Sequence, residues 1–155
     1  MTEDIAAKIR TVRGCRVILD SDLANFYGVS TTRLNEQVTR NIDRFPSDFM
    51  FQLSNQEFTH LISQIAISSP SHGGRRKLPR VFTEYGAVMA ANVLNSKIAI
   101  QASIMLVRVF VKLKEIASEH ADLKKRLYSL EERVARGFSD HADELLEIRF
   151  LIAQL

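Results

Sequence analysis

From Leu123 to Leu155 apolar side chains return in alternating three- and four-residue steps: Leu123, Leu127, Leu130, Val134, Phe138, Leu145, Ile148, Ile152 and Leu155, with His141 in the same register. A strand repeats every two residues, so this stretch has to be a helix with one narrow apolar seam. The spacing is that of a coiled coil of roughly four heptads. The consecutive four-residue steps Leu130 to Val134 to Phe138, beside Gly137, read as a stutter. Two arrangements cover such a seam: the helix folds back on the rest of the chain, or it packs against further copies. Its mixed charge and its place at the end of the sequence favour a homo-oligomer, dimer or higher, with those nine apolar residues as the oligomerisation surface and His141 as a tolerated polar member.

The same helix divides the chain by charge. Residues 1–118 carry 15 basic and 10 acidic side chains, residues 119–155 carry 6 and 8, which recovers the overall +3. Two segments with different jobs are therefore expected, 1–118 as a basic domain and 119–155 as a helical assembly segment. Hydrophobic residues at 46% and charged residues at 25% are those of an ordinary globular chain. Cys15 is the only cysteine, which excludes an internal disulfide framework and a four-cysteine zinc site. It is expected to be a small core residue. The apolar run Ile98 to Val111 is short and holds Gln101 and Arg108, so no membrane span is expected. Met1-Thr2-Glu3-Asp4 is acidic with no apolar stretch behind it, so no secretory leader is expected and a cytoplasmic location is the default.

Local signals predict an α+β fold. Ile9–Val12 and Arg16–Leu19 flank Arg13-Gly14 and read as a hairpin with Gly14 at positive φ. Asp20-Ser21-Asp22 offers cap chemistry for a helix through Tyr27, Gly28 ends it, and Ser30 caps a second helix to about Asn41. Pro46 breaks the pattern, Asp48–Leu53 reads as a strand, and Ser54 to Glu57 has capping-box spacing for a helix to about Ile67. Phe45, Phe49 and Phe51 are expected in the core. Ser68–Pro79 holds two prolines, two glycines and three consecutive cations and reads as a mobile loop, disordered from Ser71 to Lys77 without its ligand. Thr83 caps a helix through about Leu94, and Asn95-Ser96 ends it and starts another from Lys97 to about Ser118. This last helix is apolar along Ile98, Ala102, Met105, Val109, Leu113 and Ile116, and again along Ile100, Ile104, Val107 and Val111. Either it is the central helix of the fold, or its second face is an interface.

Ala24, Gly28 and Leu34 have the spacing of a helix-turn-helix: a small residue where the helices cross, a turn glycine, and an apolar residue closing the core from the second helix. Leu23, Val29 and Val38 add core positions. The second helix carries Thr31, Thr32, Arg33, Asn35, Glu36, Gln37, Thr39 and Arg40. Arginine, asparagine and glutamine can bond base edges in pairs, while threonine and arginine reach phosphates. With Leu34 and Val38 inward, Thr32, Arg33, Glu36, Gln37 and Arg40 would face a groove. Gly73-Gly74-Arg75-Arg76-Lys77 is a second cationic element suited to following a phosphate backbone, and it lacks the Walker A order. Each stretch also reads as a solvated surface. Catalytic groupings are absent: His60, His72, His120 and His141 are scattered without metal-ligand spacing, and no GxSxG occurs. No enzyme activity, metal or cofactor is expected.

Three blocks occur in order: RGCRVILDSDLANFYGVSTTRLNEQVTRNIDRFPSDFMFQLS, GGRRKLPRVFTEYGAVMAANVL, and a helix ending VRVFVKLKE. From about Ile9 to Glu115 the chain resembles the ORF6N domain, a DNA-binding module of phage, prophage and bacterial proteins related to KilA-N and Bro-N. The resemblance implies a compact α+β DNA-binding domain of the kind found at the front of antirepressor-like regulators. Arg33, Asn35, Glu36, Gln37, Arg40, Asn41, Arg44, Phe45 and Pro46 fall in its first block and Gly73 to Arg76 in its second. Tyr85 departs from the glutamine common there. The whole is expected to be a small hairpin and helix-turn-helix-like unit with further helices, then a coiled-coil helix. Its expected function is sequence- or structure-dependent binding of double-stranded DNA in transcription regulation, through Thr31, Thr32, Arg33, Asn35, Glu36, Gln37, Arg40, Arg44, Arg75, Arg76 and Lys77. The alternative is a protein-interaction module that captures a repressor protein.

Overall fold

A computed structural model describes residues 2–66 and 77–155. In chain order the elements are α1 (Thr2–Lys8), β1 (Ile9–Val12), β2 (Cys15–Leu19), α2 (Asp20–Phe26), α3 (Thr31–Arg40), a 3₁₀ turn (Ile42–Arg44), β3 (Met50–Gln52), α4 (Asn55–Ala66), β4 (Arg80–Phe82), α5 (Glu84–Leu94) and α6 (Lys97–Ala153). The fold is α+β, as expected. Packing divides it into two units, Met1–Leu113 and Lys114–Leu155.

The hairpin turn is tighter than a single glycine requires. Arg13 at φ 53° and Gly14 at φ 73° both lie in the left-handed region, and a two-residue turn of that hand matches the right-handed twist of β1 and β2. Arginine has no intrinsic liking for this conformation. Its side chain accounts for its presence: Nε and Nη2 donate to the two carboxylate oxygens of Glu57, each at 2.8 Å, and the guanidinium lies 4.4 Å over the Phe51 ring. Glu57 closes the capping box of α4, accepting from the Ser54 amide at 2.9 Å while its own amide donates to Ser54 Oγ at 3.2 Å. One ion pair thus ties the hairpin tip to the start of α4.

Four antiparallel strands form one sheet in the order β1-β2-β4-β3. Alternation along the strands sends neighbours to opposite faces. Ile18, Met50 and Phe82 join a core with residues of α2, α3, α5 and α6. Val17, Leu19, Leu53 and Val81 pack with Leu61 and, at their edge, Phe51, Phe58 and Ile65 of the β3–α4 region. Both faces of the sheet are covered, which explains why Val17-Ile18-Leu19 is an unbroken apolar run rather than an alternating one.

Several expectations are corrected. α1 is a helix that no cap or periodic signal in the sequence marks. The strand expected over Asp48–Leu53 shrinks to Met50–Gln52, because the amides of Phe49 and Met50 both turn back to Pro46 O at 2.9 and 3.1 Å. Phe45 is buried, whereas Phe49 and Phe51 are only half-buried. Cys15 is exposed rather than in the core; it pairs with Val12 directly after the turn, where the sheet has run out. The helix from Lys97 does not stop near Ser118 but continues to Ala153, since neither glycine nor proline interrupts it before Gly137. α6 buries Ala99, Ser103, Leu106, Val109 and Phe110 and leaves Ile98, Ile100, Ile104 and Val111 exposed. It is therefore a helix packed on one side and not a fully surrounded central one. No helix among the described residues is long and apolar enough to cross a membrane.

Candidate nucleic-acid interface

α2 and α3 form the expected helix-turn-helix-like unit. Gly28 sits in the turn at φ 67°, a conformation glycine adopts at little cost. The Val29 amide bonds back to Ala24 O at 3.0 Å, and Ser30 Oγ accepts from the Arg33 amide at 3.1 Å, capping α3. Leu23, Ala24, Leu34 and Val38 are buried, each at 1% exposure or less. The Tyr27 hydroxyl donates to Ala87 O at 2.6 Å, fastening the turn to α5; burial raises this phenol's pKa well above its ordinary value. With its inner face held this way, α3 turns Thr32, Arg33, Glu36 and Arg40 to solvent.

A polar cleft of about 560 Å³ runs between α3 and the β3–β4 edge, lined by Thr31, Thr32, Asn35, Glu36, Thr39, Arg40, Gln52, Lys77 and Arg80. Six of these were candidates from sequence: Thr31, Thr32, Asn35, Glu36, Arg40 and Lys77. Arg33, Gln37 and Arg44 lie outside the cleft; Arg33 and Arg44 are exposed and Gln37 is half-buried. Arg75 and Arg76 fall outside the described residues, as does most of the loop expected to be disordered.

Asp20 organises the cleft wall. It is 3% exposed. Its Oδ1 accepts from the Ser21 amide at 2.8 Å, and its Oδ2 accepts from Asn35 Nδ2 at 2.9 Å and from the Arg80 amide at 3.4 Å. One carboxylate thus joins α2, α3 and β4. Arg80 Nη1 in turn donates to Asn35 O at 3.2 Å and to Thr39 Oγ1 at 3.0 Å, so a strand-borne arginine lies across the side of α3. Asn35 is spent on the fold: Nδ2 is committed to Asp20, and Oδ1 is buried with no partner among the described residues. Asn35, a DNA-binding candidate from sequence, is thus tied by its side chain to Asp20 at the start of α2.

Sequence reasoning missed Arg80 and Gln52 as parts of the site. They are register partners on β4 and β3, and the Gln52 amide nitrogen donates to Leu78 O at 3.1 Å. The available signal was Arg80, a cation within the apolar stretch Leu78 to Phe82. Among the described residues no group of three His, Cys, Asp or Glu side chains is placed to hold a metal ion.

The cleft presents Arg40, Lys77 and Arg80 against Glu36, with Asp20 behind the wall. Cations, hydroxyls and amides of this kind suit an extended anionic ligand. Neither a curated protein nor a solved structure is matched by the chain. The ORF6N domain matches residues 7–93, and it is found in phage- and prophage-type proteins, where it points to a phage-type regulatory module. With more than half of the sequence inside that match, the chain belongs to the ORF6N domain family.

Proposed function

We propose that this protein binds double-stranded DNA as a phage-type transcription regulator of antirepressor-like character, without catalysis. The observation that carries the reading is α3: capped by Ser30, fixed from below by Leu34 and Val38, and turning Thr32, Arg33, Glu36 and Arg40 outward. The basic excess of residues 1–118 supports it, as does family membership. A single domain of this modest charge binds weakly and in a salt-dependent way. The exposed seam of the tail, including Leu123, Leu127 and Leu130, favours a homo-oligomer, which places several domains on one duplex and raises affinity through effective concentration.

The test is duplex binding followed across salt. A steep dependence of log K on log salt, weakened by Arg33→Ala, is the expected result, whereas no duplex binding at low salt refutes the reading. A second reading is capture of a repressor protein. It is favoured by the apolar side chains that α6 leaves exposed, Ile98 at 61% and Ile104 at 49%, and tight repressor binding without duplex binding would establish it.

A further inference from the structure

We infer that the cleft between α3 and the β3–β4 edge holds one phosphate group, with Lys77, Arg40 and Arg80 as its cationic side and Glu36 as a built-in counterweight. This rests on the nucleic-acid reading above and names what that surface takes hold of. Three features of the cleft argue for it.

The first is charge left unspent. Among the described residues neither Arg40 nor Lys77 makes an ion pair, and Glu36 makes none either, although it stands four residues from Arg40 on the same helix. Side chains at that spacing are neighbours on the helix surface and pair readily. The second is the fixed position of Arg80. One nitrogen of its guanidinium is pinned to Asn35 O and Thr39 Oγ1, which holds the planar group at the cleft wall and lowers the entropy lost when an anion docks. The third is chemical composition. Among the described residues no aromatic ring lines the cleft, so an extruded base would lack an aromatic platform there. A phosphate needs only donors and positive charge, and the hydroxyls of Thr31 and Thr32 in the first turn of α3 add donors at the positive end of that helix.

Phosphate of this kind comes either from a nucleic-acid backbone or from a free phosphorylated small molecule. Duplex binding is therefore measured across salt for the full chain and for Lys77→Ala and Glu36→Gln. In parallel, the amide resonances of Thr31 and Thr32 are followed during titration with inorganic phosphate, with chloride at matched ionic strength as control. If the cleft seats a backbone phosphate, Lys77→Ala lowers affinity equally for all duplexes and reduces the salt slope by about 0.9. Glu36→Gln raises affinity about three- to fivefold for all duplexes, since it removes a like charge a few ångströms from the ligand. Phosphate shifts both amides and chloride does not.

A fall in affinity with altered sequence preference for Glu36→Gln would make this residue a base reader and overturn the inference. Duplex binding that neither variant changes, with the two amides unmoved by phosphate, would overturn it while leaving the DNA reading intact. Phosphate-induced shifts in a protein that binds no duplex would support the cleft, assign it to a small phosphorylated ligand, and sink the DNA reading instead.

Discussion

Replacing Asp20 by alanine tests the joint on which the cleft depends. The carboxylate is 3% exposed and takes hydrogen bonds at 2.8 Å from the Ser21 amide and at 2.9 Å from Asn35 Nδ2, with a longer one at 3.4 Å from the Arg80 amide. A hydrogen bond to a charged group contributes about 1.5–3 kcal/mol, and a buried donor left without a partner carries its own penalty. The two short bonds share one carboxylate, so their contributions do not add fully. Asp20→Ala is therefore expected to destabilise the Met1–Leu113 unit by about 3 kcal/mol. At about 4 °C per kcal/mol for a unit of this size, Tm falls by about 12 °C. Asp20→Asn keeps the shape and one acceptor and loses about half as much. Urea unfolding followed by near-ultraviolet circular dichroism of the tyrosines reads both, as a shift in midpoint at constant slope. A double-mutant cycle with Asn35→Ala isolates the α2–α3 link, where a coupling of about 1–2 kcal/mol is expected. Loss of less than about 1 kcal/mol for Asp20→Ala, or strict additivity with Asn35→Ala, would refute the claim that this carboxylate joins α2, α3 and β4.

The remaining predictions concern single contacts. The Arg13 guanidinium, bonded to both Glu57 oxygens, lowers the pKa of that carboxyl from 4.5 to about 2, helped by the Ser54 amide. Because the folded value is the lower one, Glu57 contributes stability fully above its unfolded pKa and loses it as pH falls from about 4.5 to about 2; Glu57→Gln should flatten acid unfolding in that window, and an unchanged profile counts against the pair. Gly86→Ala should cost about 3 kcal/mol or more by chemical denaturation, since a Cβ there runs into Phe49 O and comes within 2.7 Å of Phe49 C; a near-neutral result would mean that α5 moves freely off the Phe49 corner. Leu127→Asp with Leu130→Asp should convert an oligomer to a monomer by light scattering, because both side chains lie on the exposed seam; an unchanged mass would refute the coiled-coil assignment.

Much of the local architecture was legible because it depends on residues within a turn of one another. Gly14 and Gly28 mark positions of positive φ, Ser30 and Thr83 sit where their oxygens cap α3 and α5, and Leu34 and Val38 lie inward by helical periodicity alone. Arg13 at positive φ was not legible. It is held there by Glu57, which is 44 residues away in sequence.

The sequence by itself determined that a basic, helix-turn-helix-bearing α+β unit comes first and a seam-bearing helix last. Both follow from charge counts and from periods of a few residues, which need no knowledge of what packs where. Tertiary structure alone decided which of the candidate residues share one cleft. The strand order β1-β2-β4-β3 carries Arg80 to Asp20, 60 residues distant, and lays its side chain along α3. That placement ties the Asn35 side chain to Asp20 and makes Gln52 and Arg80 walls of the cleft. Hydrogen bonds across such separations are set by how two covered sheet faces pack, and no local spacing encodes them.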